Sequence, residues 1–127
     1  MAIKKRTAFI IDDSPTVRFM LKRDFAEIAY EVIGESKDKE TTYSGLDTLR
    51  DDQISPEIIT VDLVIPGIES KELVKHIRFV HPDSKIIIIT AFADNVAKEE
   101  YIGLDSDFFF VKPVQKEQLE MASMYVK

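Results

Sequence analysis

The segment Ile58-Ile59-Thr60-Val61 is almost wholly apolar and β-branched, and it gives way at once to Asp62 and then to a Pro66-Gly67 turn. A short run with no polar alternation is what a strand buried on both faces of a parallel sheet requires. This constrains the whole chain, because parallel neighbours need long crossover connections, usually helical ones. An ionised carboxylate at the end of a buried strand costs free energy unless something pairs with it. Asp62 therefore marks a place where partners should converge.

The other elements follow from local chemistry. Ala8-Phe9-Ile10-Ile11 opens a strand over 7–13 that closes on Asp12-Asp13. Ser14 and Pro15 then start a helix, serine as N-cap and proline at the first helical position. Val17, Met20, Leu21, Phe25 and Ile28 recur every three or four residues as its packed face, which leaves Arg18, Lys22 and Arg23 largely to solvent. A more polar strand over 30–36, interrupted by Gly34, suits a sheet edge. A charged helix is predicted over 40–51, with Tyr43, Leu46 and Leu49 as its thin apolar stripe. Leu73, Ile77 and Val80 mark a helix that stops near His81, since Pro82 disfavours helical geometry in the residue before it.

Four consecutive isoleucines between Lys85 and Thr90 form a central strand. A short helix capped by Asp94 is predicted over 94–104. Phe108-Phe109-Phe110-Val111 makes the last strand, closed by Lys112-Pro113, and Leu119, Ala122 and Val126 mark a final helix running almost to the last residue. The expected fold is α/β: a doubly wound, five-stranded parallel sheet with five helices, in one domain spanning residues 1–127.

Composition excludes several function classes. The 45% apolar content of the 127 residues suffices for a core, and the formal charge of −6 argues against direct nucleic-acid binding, which needs a basic face. Lys4-Lys5-Arg6 reads as a solvated flank. The absence of cysteine rules out disulfides, thiol catalysis and thiolate zinc sites. No apolar run reaches the ~18 residues that span a bilayer and no signal-peptide core is present, so a soluble, cytoplasmic protein is expected.

Asp12-Asp13, Asp62, Thr90 and Lys112 each close an apolar strand. In a parallel sheet they share one rim, which is where such folds bind ligands. Two like charges ~4 Å apart at an effective dielectric of ~20 repel by ~4 kcal/mol, so an acidic cluster needs compensation. Lys112 supplies one positive charge. An all-oxygen site with room for water suits magnesium, which dehydrates reluctantly. Such a rim can present the Asp62 carboxylate to an incoming phosphoryl group, with Thr90 donating a hydroxyl hydrogen bond. His76 and His81 lie far from the rim and read as structural or solvated, and Phe108 and Phe110 as core.

The ordered set Asp12-Asp13, Asp62-Leu63-Val64-Ile65-Pro66, Thr90-Ala91 and Lys112-Pro113 resembles the receiver domain of two-component response regulators over nearly the entire chain. The segment 13–18 is similar to the stand-alone, CheY-like receivers of chemotaxis. The resemblance implies the strand order 2-1-3-4-5. It further implies that Asp62 takes phosphate from a histidine kinase or phosphotransfer protein. Asp13, Asp62 and the backbone carbonyl of Val64 would bind Mg2+ with help from Asp12, and Lys112 would clamp the phosphoryl oxygens. Thr90 and Phe109 would act as the switch, altering a surface made by the helix at 94–104, the last strand and the last helix, which then binds a downstream effector protein. Catalysis would be confined to the receiver's own phosphorylation and dephosphorylation.

Departures from the family pattern are Ile65 for methionine, Ser70 and Asp105 for glycine, and Phe109 for tyrosine. Val64 and Phe92 are apolar where the family borders the route of hydrolytic water, which would shield an acyl phosphate. Two rival classes share the fold. A magnesium-dependent phosphohydrolase would more naturally carry Asp-x-Asp on the first strand, where this chain has adjacent aspartates. A phosphorylation-independent interaction module would have no use for the charged rim.

Overall fold

The computed structural model describes residues 6–91 and 105–125. In chain order the described elements are β1 (Arg6–Ile11), α1 (Pro15–Glu27), β2 (Tyr30–Ser36), α2 (Lys39–Asp51), β3 (Ile58–Val61), α3 (Ser70–Val80), β4 (Lys85–Thr90), β5 (Phe108–Val111) and α4 (Lys116–Ser123). The strands form one sheet in the order β2-β1-β3-β4-β5, every neighbouring pair parallel. This is the doubly wound arrangement expected, with four helices among the described residues. The helix predicted over 94–104 lies outside them, as does Val126.

The period-two geometry of buried strands splits the core into two layers. Ala8, Ile10, Ile58, Ile87, Ile89 and Phe110 face one way and pack with Leu21 and Phe25 of α1 and Leu119 of α4. Phe9, Ile11, Ile59, Val61 and Ile86 face the other way, against Leu46 of α2 and Leu73 and Ile77 of α3. β3 and β4 are buried at every residue, which is why they carry no polar alternation.

Caps fix where the helices begin. The Ser14 hydroxyl accepts the Val17 N–H at 3.2 Å, as its position at the head of α1 indicated. In α2 the Asp38 carboxylate accepts the Thr41 N–H at 2.8 Å while the Thr41 hydroxyl accepts the Asp38 N–H, a reciprocal cap that starts the helix at Lys39. At the end of the sheet away from the strand carboxyl termini, the Lys85 ammonium donates to the carbonyls of Ala122 and Ser123 at 3.3 and 3.4 Å. A cation at the carbonyl end of a helix is favourable. Arg6 grips both carboxylate oxygens of Glu57 at 3.1 Å, donates to the Ser123 carbonyl and lies over the Tyr30 ring.

Phe9 sits between two glycines. A Cβ at Gly34 would come within 2.8 Å of its ring and one at Gly45 within 2.9 Å, so the ring cannot retreat from either side. In an exposed helix interior Gly→Ala stabilises by roughly 1 kcal/mol. Gly45→Ala is expected to have the opposite sign, losing about 1–3 kcal/mol from overpacking, as read by urea denaturation; a stabilised variant would contradict this account of the Phe9 pocket.

Candidate functional site

Because all strands run the same way, the carboxyl ends of β1, β3, β4 and β5 share a rim. Sheet-type bonds continue past the strands to the residues that matter. The Asp12 N–H donates to the Ser36 carbonyl at 3.1 Å, the Asp62 N–H to the Ile11 carbonyl at 2.9 Å, and the Lys112 N–H to the Thr90 carbonyl at 2.7 Å. These side chains are therefore aimed by the sheet itself rather than by free loops.

Lys112 occupies the centre. Its Nζ lies 3.0 Å from Asp12 Oδ2 and 3.3 Å from Asp62 Oδ2. The other oxygens have partners of their own: Asp62 Oδ1 accepts the Val64 N–H at 3.1 Å and Asp12 Oδ1 accepts the Ser14 N–H at 2.9 Å. Asp13 is exposed, yet one carboxylate oxygen from each of Asp12, Asp13 and Asp62 falls within 4.8 Å of the others. The rim thus joins Asp12, Asp13, Asp62 and Lys112 as the strand-end pattern indicated.

Thr90 closes β4 on the same rim and is fully buried. Phe109 is not a rim residue. It pairs with Ile88 while Thr90 pairs with Val111, so Thr90 and Phe109 lie on one face of the sheet, away from α1 and α4. Val64 leaves its side chain half exposed beside Asp62. Phe92 lies outside the described residues.

Burial pushes the Asp62 carboxyl up to about 6; the Val64 N–H opposes that rise, the neighbouring Asp12 charge adds to it, and Lys112 pulls it back. For Lys112, burial works against the ammonium, but the hydrogen bond it donates to Asp12 and the two carboxylate charges outweigh it and raise the pKa. Three carboxylates gather around one ammonium. The donors are oxygens only, one of them in contact with solvent. That set fits a hard divalent cation that keeps part of its water shell.

One polar residue stands differently from what sequence periodicity suggested. Arg18 is not solvated: its side chain is 13% exposed and its NH1 donates to the Asp12 carbonyl at 2.7 Å. Its place one turn after Ser14, level with the strand end, was the available signal. His81 is buried with Nε2 against the Leu46 carbonyl at 2.9 Å, and His76 pairs with Asp47 at 2.8 Å, so both have structural contacts between α2 and α3. Ser70, standing where the family has glycine, donates to the Leu63 carbonyl at 2.8 Å and closes the loop after β3.

An acidic trio with one lysine at the carboxyl rim of a five-stranded parallel sheet defines a phosphoacceptor signalling module. Residues 8–123 match the model of the response regulator receiver domain, and the chain belongs to that family. It is 29% identical over 110 residues to the chemotaxis protein CheY of Thermotoga maritima, covering 87% of this chain and 88% of that protein. A response regulator structure from Chloroflexus aurantiacus superposes with a TM-score of 0.78 at 24% identity, covering 94% of this chain and 95% of the other. A response regulator from Burkholderia pseudomallei, whose crystal structure contains a phosphorylated aspartic acid, a calcium ion and citrate, gives 0.76 at 22% identity, covering 92% of this chain and 65% of that one. Receivers accept phosphate from kinases and act on downstream targets, which favours signalling over the phosphohydrolase reading. No described helix is long and apolar enough to cross a membrane.

The raised pKa of Asp62 carries a stability consequence. The folded protein holds this proton more tightly than the unfolded chain does, so the contribution of Asp62 to stability is complete in acid and is lost as the pH rises from about 4 through about 6, by about 3 kcal/mol. Asp62→Asn removes the ionisation. Without divalent cations it is expected to be more stable than the wild type above about pH 6, with the gap closing below about pH 4. Urea denaturation across that range checks this, and a gap independent of pH would refute it.

Proposed function

We propose that Asp62 is the phosphoryl acceptor of this receiver, taking the group from the phosphohistidine of a histidine kinase or phosphotransfer protein. An Asp62 carboxylate oxygen attacks phosphorus, the P–N bond breaks, and its electron pair returns to the donor imidazole. Asp12, Asp13, Asp62 and the backbone carbonyl of Val64 would hold Mg2+. Bound there, the cation supplies neutralisation of charge on the phosphoryl oxygens.

The chain's own residues do the positioning. Lys112 exchanges its contact with Asp62 for a phosphoryl oxygen while keeping Asp12, so the ammonium travels little as charge moves onto the transferred group. The Val64 N–H stays on Asp62 Oδ1, which leaves Oδ2, the oxygen beside Lys112, as the nucleophile. Thr90 turns its hydroxyl to the new phosphoryl group and Phe109, on the same sheet face, rotates into the space released. This shifts the population of a surface that includes β5 and α4, to which the family resemblance adds residues 94–104, toward a form that binds a downstream effector protein. Residues 1–127 act as one cytoplasmic domain with no direct nucleic-acid contact.

One observation carries the reading: a single ammonium bridges two buried carboxylates while a third completes an oxygen cluster. Incubation with Mg2+ and acetyl phosphate, followed by intact-mass measurement, is expected to show one added phosphoryl group on the wild type and none on Asp62→Asn. Label that persists in the variant would move the acceptor elsewhere, and continued release of phosphate over many turnovers would favour a hydrolase.

The half-exposed Val64 side chain, with Phe92, is expected to keep water from the acyl phosphate. The double variant Val64→Asn, Phe92→Glu should therefore lose its label faster than the wild type in a chase after removal of the phosphodonor. Equal lifetimes would eliminate the shielding role.

A further inference from the structure

Of the three carboxylates on the rim, Asp13 is held least directly. Asp12 is fixed by Lys112 and the Ser14 N–H, and Asp62 by Lys112 and the Val64 N–H. Asp13 is exposed and its carboxylate accepts no hydrogen bond from any described residue. Its place is set by the backbone before it, and the peptide joining it to Asp12 is gripped with unusual care. The Asp12 carbonyl on that peptide accepts Arg18 NH1 at 2.7 Å, while the Asp12 N–H is held by the Ser36 carbonyl.

Arg18 is itself held from two directions. Its backbone N–H bonds the Ser14 carbonyl in the first turn of α1. Its Nε donates at 2.9 Å to Glu35 Oε1, on the strand residue just before Ser36. Lys22, one helical turn beyond Arg18, holds the other oxygen of Glu35 at 2.7 Å. Its hydrogen bond lowers the Glu35 carboxyl against the cost of burial, and Arg18 lowers it further, so Glu35 is a charged anchor. The last two residues of β2 therefore grip both sides of Asp12, one directly and one through Arg18.

We infer that Arg18 is a positioning residue for the cation site, holding the Asp12–Asp13 peptide so that the Asp13 carboxylate reaches the other two, with Glu35 as its anchor. It acts through the backbone of a ligand residue and touches neither cation nor phosphate. This rests on the reading of the rim as a cation site. A planar guanidinium suits the task because it can donate from Nε and from NH1 to two fixed acceptors at once, which a lysine ammonium does with far less directional control. Groups that orient metal ligands typically change affinity by 10–100-fold when removed.

The test is titration of the apoprotein with Mn2+, followed by electron paramagnetic resonance of the free ion, with urea denaturation run beside it. Arg18→Met is expected to bind Mn2+ about tenfold more weakly. Its half-saturating Mg2+ concentration for labelling by acetyl phosphate should rise by a similar factor, while the maximal rate at saturating Mg2+ stays within about twofold of the wild type. A purely structural role would lower stability without that split. Glu35→Ala should weaken Mn2+ binding in the same direction, and it carries the test if Arg18→Met does not fold. Wild-type affinity in either folded variant overturns the inference. A wild-type protein that binds no Mn2+ and takes no label overturns the cation site itself, a distinct outcome.

Discussion

The ammonium of Lys112 between Asp12 and Asp62 is the interaction on which the rim depends. Two carboxylates almost wholly removed from water would repel each other and pay heavily in hydration were there no cation between them. Lysine resolves the conflict only in part. Burial, with the Asp12 charge adding to it, still pushes the Asp62 carboxyl up to about 6. Three carboxylates around one ammonium make an oxygen cluster whose chemistry fits a hard divalent cation.

The remainder of the fold converts sheet geometry into placement of these groups. Backbone bonds from Asp12, Asp62 and Lys112 extend the parallel ladders one residue past the strands, so displacing a rim side chain means disturbing the sheet. At the opposite end, Arg6 and Lys85 tie the last carbonyls of α4 to the sheet, which fixes one end of the helix that follows Lys112. Thr90 and Phe109 share a face on adjacent strands, so a rotation at one has a short path to the other.

The sequence showed β3 and β4 plainly because strands covered on both faces are runs of β-branched, mostly apolar residues with no polar alternation. The same clarity exposed the rim: Asp12, Asp62 and Lys112 stand where polarity resumes. Strand order was a different matter, since periodicity reports which face is buried and not which strand is adjacent; the order 2-1-3-4-5 came from family resemblance. Periodicity also put Arg18 in water, because it sorts residues relative to the core and is blind to a neighbouring strand end that covers part of the outer face. Lys85 escaped notice for a similar reason. Its ammonium is received in the interior by helix carbonyls from a segment more than thirty residues later. The Ser14 cap was legible because Pro15 follows it, whereas the reciprocal Asp38–Thr41 cap, set among charged residues, moved the start of α2 by one residue.

Asp62 and Lys112 are fifty positions apart, and Asp12 precedes Asp62 by the same interval. During synthesis the two acids therefore emerge well before the base that reconciles them. A chain halted ahead of β5 carries the acidic pair without the ammonium that bridges it and cannot form the complete pocket. The pocket is thus completed only with the closing strand, and the charges of Asp12 and Asp62 are bridged last.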